Sequence, residues 1–569
     1  MTLIIAEKPS VGMEISKALG VTQRHDGYIS SDRYIITWCI GHLLETAQPE
    51  NYNPAYKRWA VADLPIIPDN WLTVAKTNTK KQLGIIKKLM KSKDVTQVIC
   101  ATDAGREGEL IFRLVYEHCG CKKPVMRLWI SSLEQSSIKQ GFANLKNDYD
   151  YDNLYHAALC RMRADWLVGM NTTRLFTLIN GNKELLNIGR VQTPTLALIA
   201  KRDNDIKNFV PVPYFNVHAD LGDFTAICRV DNDVDIIPVG QNGVAEVKVS
   251  ENKREKPPAL YDLTTLQRDA NRLLGLSAQQ TLDTAQKLYE KKLITYPRTD
   301  SRYITGDIDV VPLLKNVAAA FNVGLGYSNS PDQLIGSVSD HHAILPTVNT
   351  ARLEGDELNV YTLIAFRLME SVSLPYVYSQ TDVKLDLRGY IFTASGKKTV
   401  TEGYRAKTNL LLERLGKHRK ERDEDFVFPE NGATVTVKGT KTEQKKTQPP
   451  KHYTEDTLLE AMEHVGKLIE DAALKDAVKK GIGTPATRAA IIEKLTFSGY
   501  VRRDGKSLIS TAKATRLLDV IPEFLKSPEL TAEWEHKLEL VARGKLSTEV
   551  FMSGIINTVS ELVEQYRSG

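Results

Sequence analysis

The 569 residues are too many for one hydrophobic core and suggest three or four domains. A composition of 42% hydrophobic and 25% charged residues is ordinary for a soluble globular chain, and no apolar run is long enough to cross a bilayer. The net charge of +5 leans toward anionic partners without naming one, so any nucleic acid has to be met by charge focused in clefts.

The N-terminus, MTLIIAEKPS, lacks the basic start and long apolar region of a signal peptide. Six cysteines, at 39, 100, 119, 121, 160 and 228, fit reduced thiols better than a disulfide framework. Both features predict a cytoplasmic protein. No CxxC pair occurs, which argues against a zinc ribbon. In chain order, TLIIAE is a short apolar strand, and KPS turns it into the helix VGMEISKALG. DVTQVICATD followed by REGELIFRLVYEHC repeats the device, so residues 1 to about 150 read as an α/β sheet with a site at the strands' carboxyl ends. From about 151 the pattern turns helical, through NLYHAALCRMRADWLVGMNTTRLFTLI and the glycine-led GRVQTPTLALIAKRD. Residues 213 to 256 are β-rich, residues 260 to 292 return to helix, and a second β-rich stretch runs from about 379 to 440. That alternation predicts domains interrupted by one another. KHRKERDED (417–425) reads as a solvated loop, and Lys438, Lys441, Lys445, Lys446 and Lys451 as a solvated face.

GYVRRDGKS is the nearest approach to an ATP-binding loop, but five residues separate its glycines where the motif needs four. VRRDGKSLIS reads better as a hairpin turning at Asp504-Gly505. With the helix ATRAAIIEKLTFSG before it, the hairpin makes a winged-helix-like unit, and no ATP site is predicted.

Three groups of residues carry chemistry. Glu7 ends the first strand, Asp103 ends VICATD, and Glu107 and Glu109 follow in AGREGE. Glu7, Asp103 and Glu107 can share one Mg²⁺, a hard cation that takes one or two carboxylates with phosphate and water. Helix capping and first-turn carboxylates account equally for Asp103 and Glu107, but not for Glu7-Lys8 in the matching place on another strand. In LITYPRTDSRY, Pro297 biases Tyr296 away from helical dihedrals, and Arg298, Asp300 and Arg302 crowd the loop with charge. Tyr296 is then either a loop tyrosine that packs its ring and bonds its hydroxyl, or a nucleophile whose phenolate is favoured by nearby cations. Finally, Arg161, Arg163 and Asp165 in RMRADWLVG, Arg190, Gln192 and Thr193 in NIGRVQTPT, and Thr484, Thr487 and Arg488 in GIGTPATRAA suit contacts to a nucleic-acid backbone.

The segments IIAEKPS, ATDAGREGEL, RADWLVGMN, GRVQTPTLAL, LITYPRTDS, HHAILPT and GIGTPATRAAIIEKL, in this order from residue 3 to 495, resemble the type IA DNA topoisomerases, most closely bacterial topoisomerase III. The resemblance implies a multidomain α/β and α+β fold: a Toprim domain over 1–150, then interleaved helical, winged-helix-like and β-rich domains that close into a torus. Their expected bounds are 151–212 with 452–569 for the DNA groove, 213–258 with 350–451 for the β-rich arch, and 259–349 for the domain carrying the tyrosine. It implies catalytic roles for Tyr296, Arg298, Glu7, Lys8 and His341. Mg²⁺ is expected on Asp103, Glu107 and Glu7, and Arg161, Asp165, Arg190, Gln192, Thr193 and Thr487 are expected along single-stranded DNA. Gly105 stands where the family's DxDxE metal motif has its middle acid, which weakens the case for a second ion. The sequence carries no zinc-ribbon segment, so neither zinc nor ATP is expected.

The implied reaction is single-strand breakage through a 5′-phosphotyrosine, strand passage and rejoining, which relaxes negative supercoils or decatenates DNA. The implied enzyme is a nucleoid-associated monomer acting on single-stranded and negatively supercoiled DNA, with a helicase or single-strand-binding protein as partner and no membrane. Two other classes stand beside it: a non-catalytic single-strand-binding protein on a degenerate topoisomerase scaffold, and a Toprim nuclease or primase.

Overall fold

The computed structural model describes residues 1–130, 135–180, 184–231, 239–324, 331–336, 341–418, 427–469 and 481–567, and the single positions 133, 338, 472 and 475 between them. The chain forms two compact units, each assembled from segments distant in sequence. One comprises Met1–Ala200, Val338–His342 and Thr457–Gly569; the other comprises Lys201–Ser337 and Ala343–Asp456.

The first unit is organised by β1 (Thr2–Ala6), which lies inside a seven-stranded sheet of order 23–25, 28–30, 34–38, 2–6, 97–101, 125–127, 146–147. β1 pairs in parallel with Tyr34–Trp38 and with β2 (Gln97–Ala101). The helix α1 (Arg106–His118) follows β2, and β3 (Val125–Arg127) pairs in parallel with β2. The strands toward both edges run antiparallel. β1 is apolar throughout because both its faces are covered. Leu3 and Ile5 join a core with Val98, Cys100 and Phe112, while Ile4 and Ala6 join another with Val11, Ile15 and Ile138. In register, Ala6 stands opposite Ala101, so the chain leaves both strands at the same edge and delivers Glu7 and Asp103 there. The helix after β1 spans Pro9–Leu19, two residues earlier than the apolar pattern suggests, because proline suits the first helical position.

The rest of the first unit is mostly helical, with a small sheet pairing Leu44–Thr46 and Thr73–Ala75. α2 (Asp152–Asn180) packs against α1, against α4 (Pro528–Ala542) and against the helix Thr548–Arg567. Between α2 and α4 in sequence comes α3 (Gln192–Lys207). The expected helix and hairpin are present as Pro485–Phe497 and the strands Val501–Asp504 and Ser507–Ser510. The hairpin reverses at Gly505-Lys506, one residue later than the sequence suggests, with Gly505 at a φ of 57°.

The second unit holds a seven-stranded antiparallel sheet of order 434–436, 242–255, 376–387, 390–401, 225–230, 213–220, 439–446. The second β-rich stretch therefore begins at Tyr376, ends at Lys446 and is interrupted by the helix Arg405–Arg414. Lys438, Lys441, Lys446 and Lys451 are exposed, while most of the charged run 417–425 lies outside the described residues. A separate helical core around Leu266, Leu288, Leu314 and Phe366 includes Leu293 and Ile294, the residues leading into the tyrosine loop. Among the described residues no helix is long and apolar enough to cross a membrane.

Where the sheet of the first unit meets α2, Arg113 binds Asp148 at 3.0 Å and Asp152 at 2.8 Å. Burial pushes the Asp148 carboxyl up to about 6, opposed by Arg113 and helped by Glu109 and Asp152. A carboxyl raised in the fold contributes stability that is fully present below its unfolded value, near 3.9, and is lost as pH rises through the folded value. Asp148→Asn removes this ionisation. The melting temperature of the variant relative to wild type should therefore rise from about pH 4 to about pH 7. A difference that does not change with pH would show that Asp148 titrates normally.

Candidate active site

Glu7, at the end of β1, is 8% exposed. Its Oε2 accepts a hydrogen bond from the backbone N–H of Asp103 at 3.1 Å. Lys8 Nζ lies 3.4 Å from Glu7 Oε1 and donates to Asp103 Oδ2 at 3.3 Å. His341 Nε2 approaches the same Asp103 oxygen at 3.6 Å. The two carboxyls are driven apart in acidity. Burial and the Asp103 charge raise Glu7 above the usual carboxylate range despite Lys8. Asp103 falls well below that range, because His341 and Lys8 outweigh its burial. One acid is thus biased to hold a proton and its neighbour to stay ionised, the arrangement that separates general-acid from charge-stabilising roles.

The loop between β2 and α1 is held at its backbone. Arg127 is fully buried, bonded to Glu109, and donates to the carbonyls of Thr102, Asp103 and Leu128 at 2.8, 2.7 and 2.6 Å. Thr102 Oγ1 donates to the Gly108 carbonyl at 2.8 Å. A Cβ built on Gly108 would lie 2.0 Å from the Asp103 carbonyl oxygen, so the helix can approach the loop only without a side chain there. Gly105 caps α1 at a φ of 178°, extended backbone that any residue adopts, so no conformational demand explains its glycine.

Glu107, in the first turn of α1, is bonded to His42. That hydrogen bond, against burial and with the charges of Arg161 and Arg106, holds Glu107 below its ordinary value. Glu7, Asp103 and Glu107 do not converge as a ready-made cage: among the described residues no group of three potential ligands does so. The donor set nevertheless fits Mg²⁺, which needs only one or two carboxylates beside phosphate and water. Asp103, on the loop, and Glu107, in the first turn of α1, offer ionised oxygens four residues apart.

The residues expected along DNA fall into two kinds. Arg161, Asp165 and Arg190 form one electrostatic cluster: Arg190 Nε donates to Asp165 Oδ1 at 2.9 Å, and Arg161 Nε lies 3.9 Å from Asp165 Oδ2. Arg190 is 5% exposed, so it builds the site from beneath. Thr193 is buried and bonds the Gly189 backbone in both directions, which ties the segment before α3 to its first turn. Gln192 beside it is also buried, and its Nε2 has no hydrogen-bond partner among the described residues, an orphan donor at a helix N-terminus where anions are favoured. Thr487 is exposed and completes a capping box with Thr484. Arg488 is 1% exposed and donates to the Ile482 carbonyl at 3.2 Å, so it shapes the loop from inside.

Tyr296 belongs to the second unit, on a loop clamped from both sides. Before it, Thr295 N donates to the Leu345 carbonyl and Leu345 N to Thr295 Oγ1, both at 2.9 Å. After it, Leu263 N donates to the Thr299 carbonyl at 3.1 Å and Arg302 Nε to Asp262 Oδ2 at 2.7 Å. Tyr296 is half-buried, with its ring edge-on to Tyr289 at 5.4 Å. Pro297 and Thr299 are buried, while Arg298 is exposed and has no ion pair among the described residues. Of the two loop arginines, Arg302 is committed to the fold and Arg298 is exposed.

Sequence reasoning overlooked His42, Arg106, Arg127 and Glu535, of which the last binds Arg106, Arg161 and Arg190. Only Arg127 left a signal, as a charge inside the apolar run VMRLWI.

Comparison with known proteins places this geometry. A family model described as DNA topoisomerase matches residues 149–553, and one described as Toprim domain matches residues 2–133. DNA topoisomerase 3 of Bacillus licheniformis is 40% identical over 601 residues, covering 100% of this chain and 82% of that protein. DNA topoisomerase 3 of Bacillus subtilis is 39% identical over 606 residues with the same coverage. Among solved structures, full-length topoisomerase I from Thermotoga maritima shares the fold at a TM-score of 0.72 and 24% identity, over 98% of this chain and 90% of that one.

The two loop glycines give opposite expectations. Gly108→Ala should lower the melting temperature and abolish function together, because its Cβ displaces the Asp103 carbonyl. Gly105→Asp should lower the melting temperature far less, because the extended backbone at Gly105 accepts a side chain without strain. Thermal melts of both variants check this, and a stable Gly108→Ala protein would refute the close approach.

Proposed function

The chain belongs to the type IA DNA topoisomerases, and on that premise we propose how its residues divide the reaction. It is a topoisomerase III-like enzyme that breaks and rejoins DNA without ATP. Tyr296 Oη attacks a backbone phosphorus of single-stranded DNA. The phosphorus–O3′ bond breaks, leaving the 5′-phosphate on the tyrosine and a 3′-hydroxyl on the other end. Rejoining is the same exchange in reverse, so the number of phosphodiester bonds is conserved and no nucleotide hydrolysis is required.

A phenol with a reference pKa of about 10 ionises poorly near neutral pH. Arg298, exposed on the same loop, is assigned to the phenolate and to the charge of the transition state. The proton for the leaving 3′ oxygen is assigned to Glu7, whose carboxyl is raised. Lys8 and His341 hold Asp103 ionised, and Lys8 offers positive charge and His341 a ring N–H to the scissile phosphate. Asp103 and Glu107 would hold Mg²⁺, with Glu7 beside them. Bound there, the ion supplies positive charge that orients strand phosphates and favours rejoining. The orphan Nε2 of Gln192 and the partly exposed Arg161 are assigned to the strand backbone. Single-stranded and negatively supercoiled DNA is the expected substrate, met by a monomer in concert with a helicase or single-strand-binding protein.

The Glu7–Lys8–Asp103–His341 cluster carries this reading, because it sets an acid with a raised carboxyl beside one with a lowered carboxyl, next to Lys8 and the His341 ring. A Toprim nuclease or primase leaves the family match over 149–553 unaccounted for. A degenerate scaffold has only Gly105 in its favour.

Incubating the protein with a 3′-end-labelled oligonucleotide and quenching with detergent should leave label on wild-type protein and none on Tyr296→Phe. Label on both would place the nucleophile elsewhere, and label on neither would favour a binding protein. Arg298→Ala should slow the covalent step by about 10²–10³, the usual cost of losing one transition-state donor.

A further inference from the structure

α4 presents Thr531, Trp534 and Glu535 on one face, at positions i, i+3 and i+4. All three engage Arg190. Thr531 Oγ1 donates to its backbone carbonyl at 3.0 Å, and the Trp534 ring lies 5.2 Å from its guanidinium carbon. Glu535 Oε1 lies 3.3 Å from its Nη1 and 3.8 Å from Arg161 Nε. The other oxygen, Oε2, accepts a hydrogen bond from Arg106 Nη2 at 3.3 Å.

Glu535 therefore gathers three guanidiniums from three elements: the start of α1, the middle of α2 and the approach to α3. Asp165 reaches only two of them. Among the side chains directly ion-paired here, three cations face two carboxylates, 3 − 2 = +1, and Glu107 lies outside that set although the charges of Arg161 and Arg106 reach it. Glu535 stays ionised despite its burial, because Arg161, Arg190 and Arg106 surround it. Exposure is graded across the cluster. The Arg190 side chain is 2% exposed, whereas Arg161 and Arg106 keep 25% and 35%. Arg190 is an internal strut, while Arg161 and Arg106 retain N–H donors toward solvent. Arg106 also immediately precedes Glu107 on the loop that carries Asp103.

We propose that Glu535 is a positioning residue for strand cleavage: it orients Arg161 and Arg106 toward backbone phosphates and ties the strand-binding helices to the Asp103–Glu107 loop. This rests on the topoisomerase reading above. Glu535 touches no substrate and acts through the arginines. Without its charge they repel one another and lose their fixed directions, although the net attraction for phosphate grows. Binding and chemistry then separate, which a merely structural role would not produce.

Glu535→Gln keeps the shape and raises the cluster to 3 − 1 = +2. In the full chain, single-turnover formation of covalent protein–DNA complex at saturating oligonucleotide should slow at least tenfold. In a Tyr296→Phe background, where no cleavage intervenes, affinity for the same oligonucleotide should be unchanged or tighter. Its log–log salt slope should steepen by up to about 0.7, the value for one added phosphate contact on a single strand. Glu535→Asp should recover part of the rate, and Arg106→Gln combined with Glu535→Gln should be no slower than the slower single variant. Cleavage within twofold of wild type would overturn the proposal. So would a joint fall of rate, affinity and melting temperature in both Glu535→Gln and Glu535→Asp, or fully additive losses in the double variant. If wild type forms no covalent complex, the nucleophile assignment fails, and the salt slopes still decide on Glu535.

Discussion

The buried Arg127–Glu109 pair is the constraint from which the acidic site takes its shape. Both side chains are completely enclosed, and the arginine spends its remaining donors on carbonyls of β2, the Asp103 loop and the residue after β3. An enclosed ion pair adds little net stability relative to apolar packing, but losing one partner strands the other at a cost of about 3–5 kcal/mol. Its value here is directional. It fixes the Asp103 carbonyl while the Asp103 carboxylate, on the same residue, faces Lys8 and His341. The bare Cα of Gly108 closes the loop from the helix side. The backbone at this strand end is thus set by groups that never meet substrate.

That rigidity gives two neighbouring acids different jobs. Glu7 and Asp103 leave parallel strands at one edge, and the Asp103 N–H donates to Glu7. Glu7 is enclosed and near another negative charge, whereas Asp103 collects the cations. The difference arises because His341 reaches Asp103 while Lys8 lies almost equally close to both acids, not from residue type. Glu107, four residues on, is instead satisfied by His42. A divalent ion would have to compete with His42 there, just as it competes with Lys8 at Asp103. Such exchangeable partners suit an ion that arrives with phosphate better than a permanently closed cage would.

The parts legible in the sequence were those encoded locally. The apolar run of β1, the strand VICATD and the helices after them follow from side-chain periodicity, so Glu7 and Asp103 could be placed at strand ends without coordinates. Tyr296 could be placed on a loop because Pro297 follows it. What the sequence hid depends on contacts across hundreds of residues. Arg190 reads as a phosphate ligand in NIGRVQTPT, until Asp165 and, from far along the chain, Glu535, Thr531 and Trp534 are seen to enclose it. Arg488 reads the same way until its burial is seen. The helix Arg405–Arg414 was lost inside a β-rich stretch because its flanks alternate strongly and its own apolar face is narrow, with Leu411 alone buried.

The pairing of groove arginines with carboxylates bears on how a strand is let go. Each uncompensated Lys or Arg on a phosphate steepens the salt dependence and strengthens binding, whatever the sequence. An enzyme that must hold a strand, open it and release it gains nothing from maximal charge. Here Asp165 and Glu535 cancel two of three guanidinium charges yet leave the outward N–H groups of Arg161 and Arg106 in place. Direction is kept while affinity is limited. The same balance appears over the whole chain, where 75 basic residues stand against 70 acidic ones. For this protein, recognition of a polyanion is better sought in where its few unmatched cations point than in how many it has.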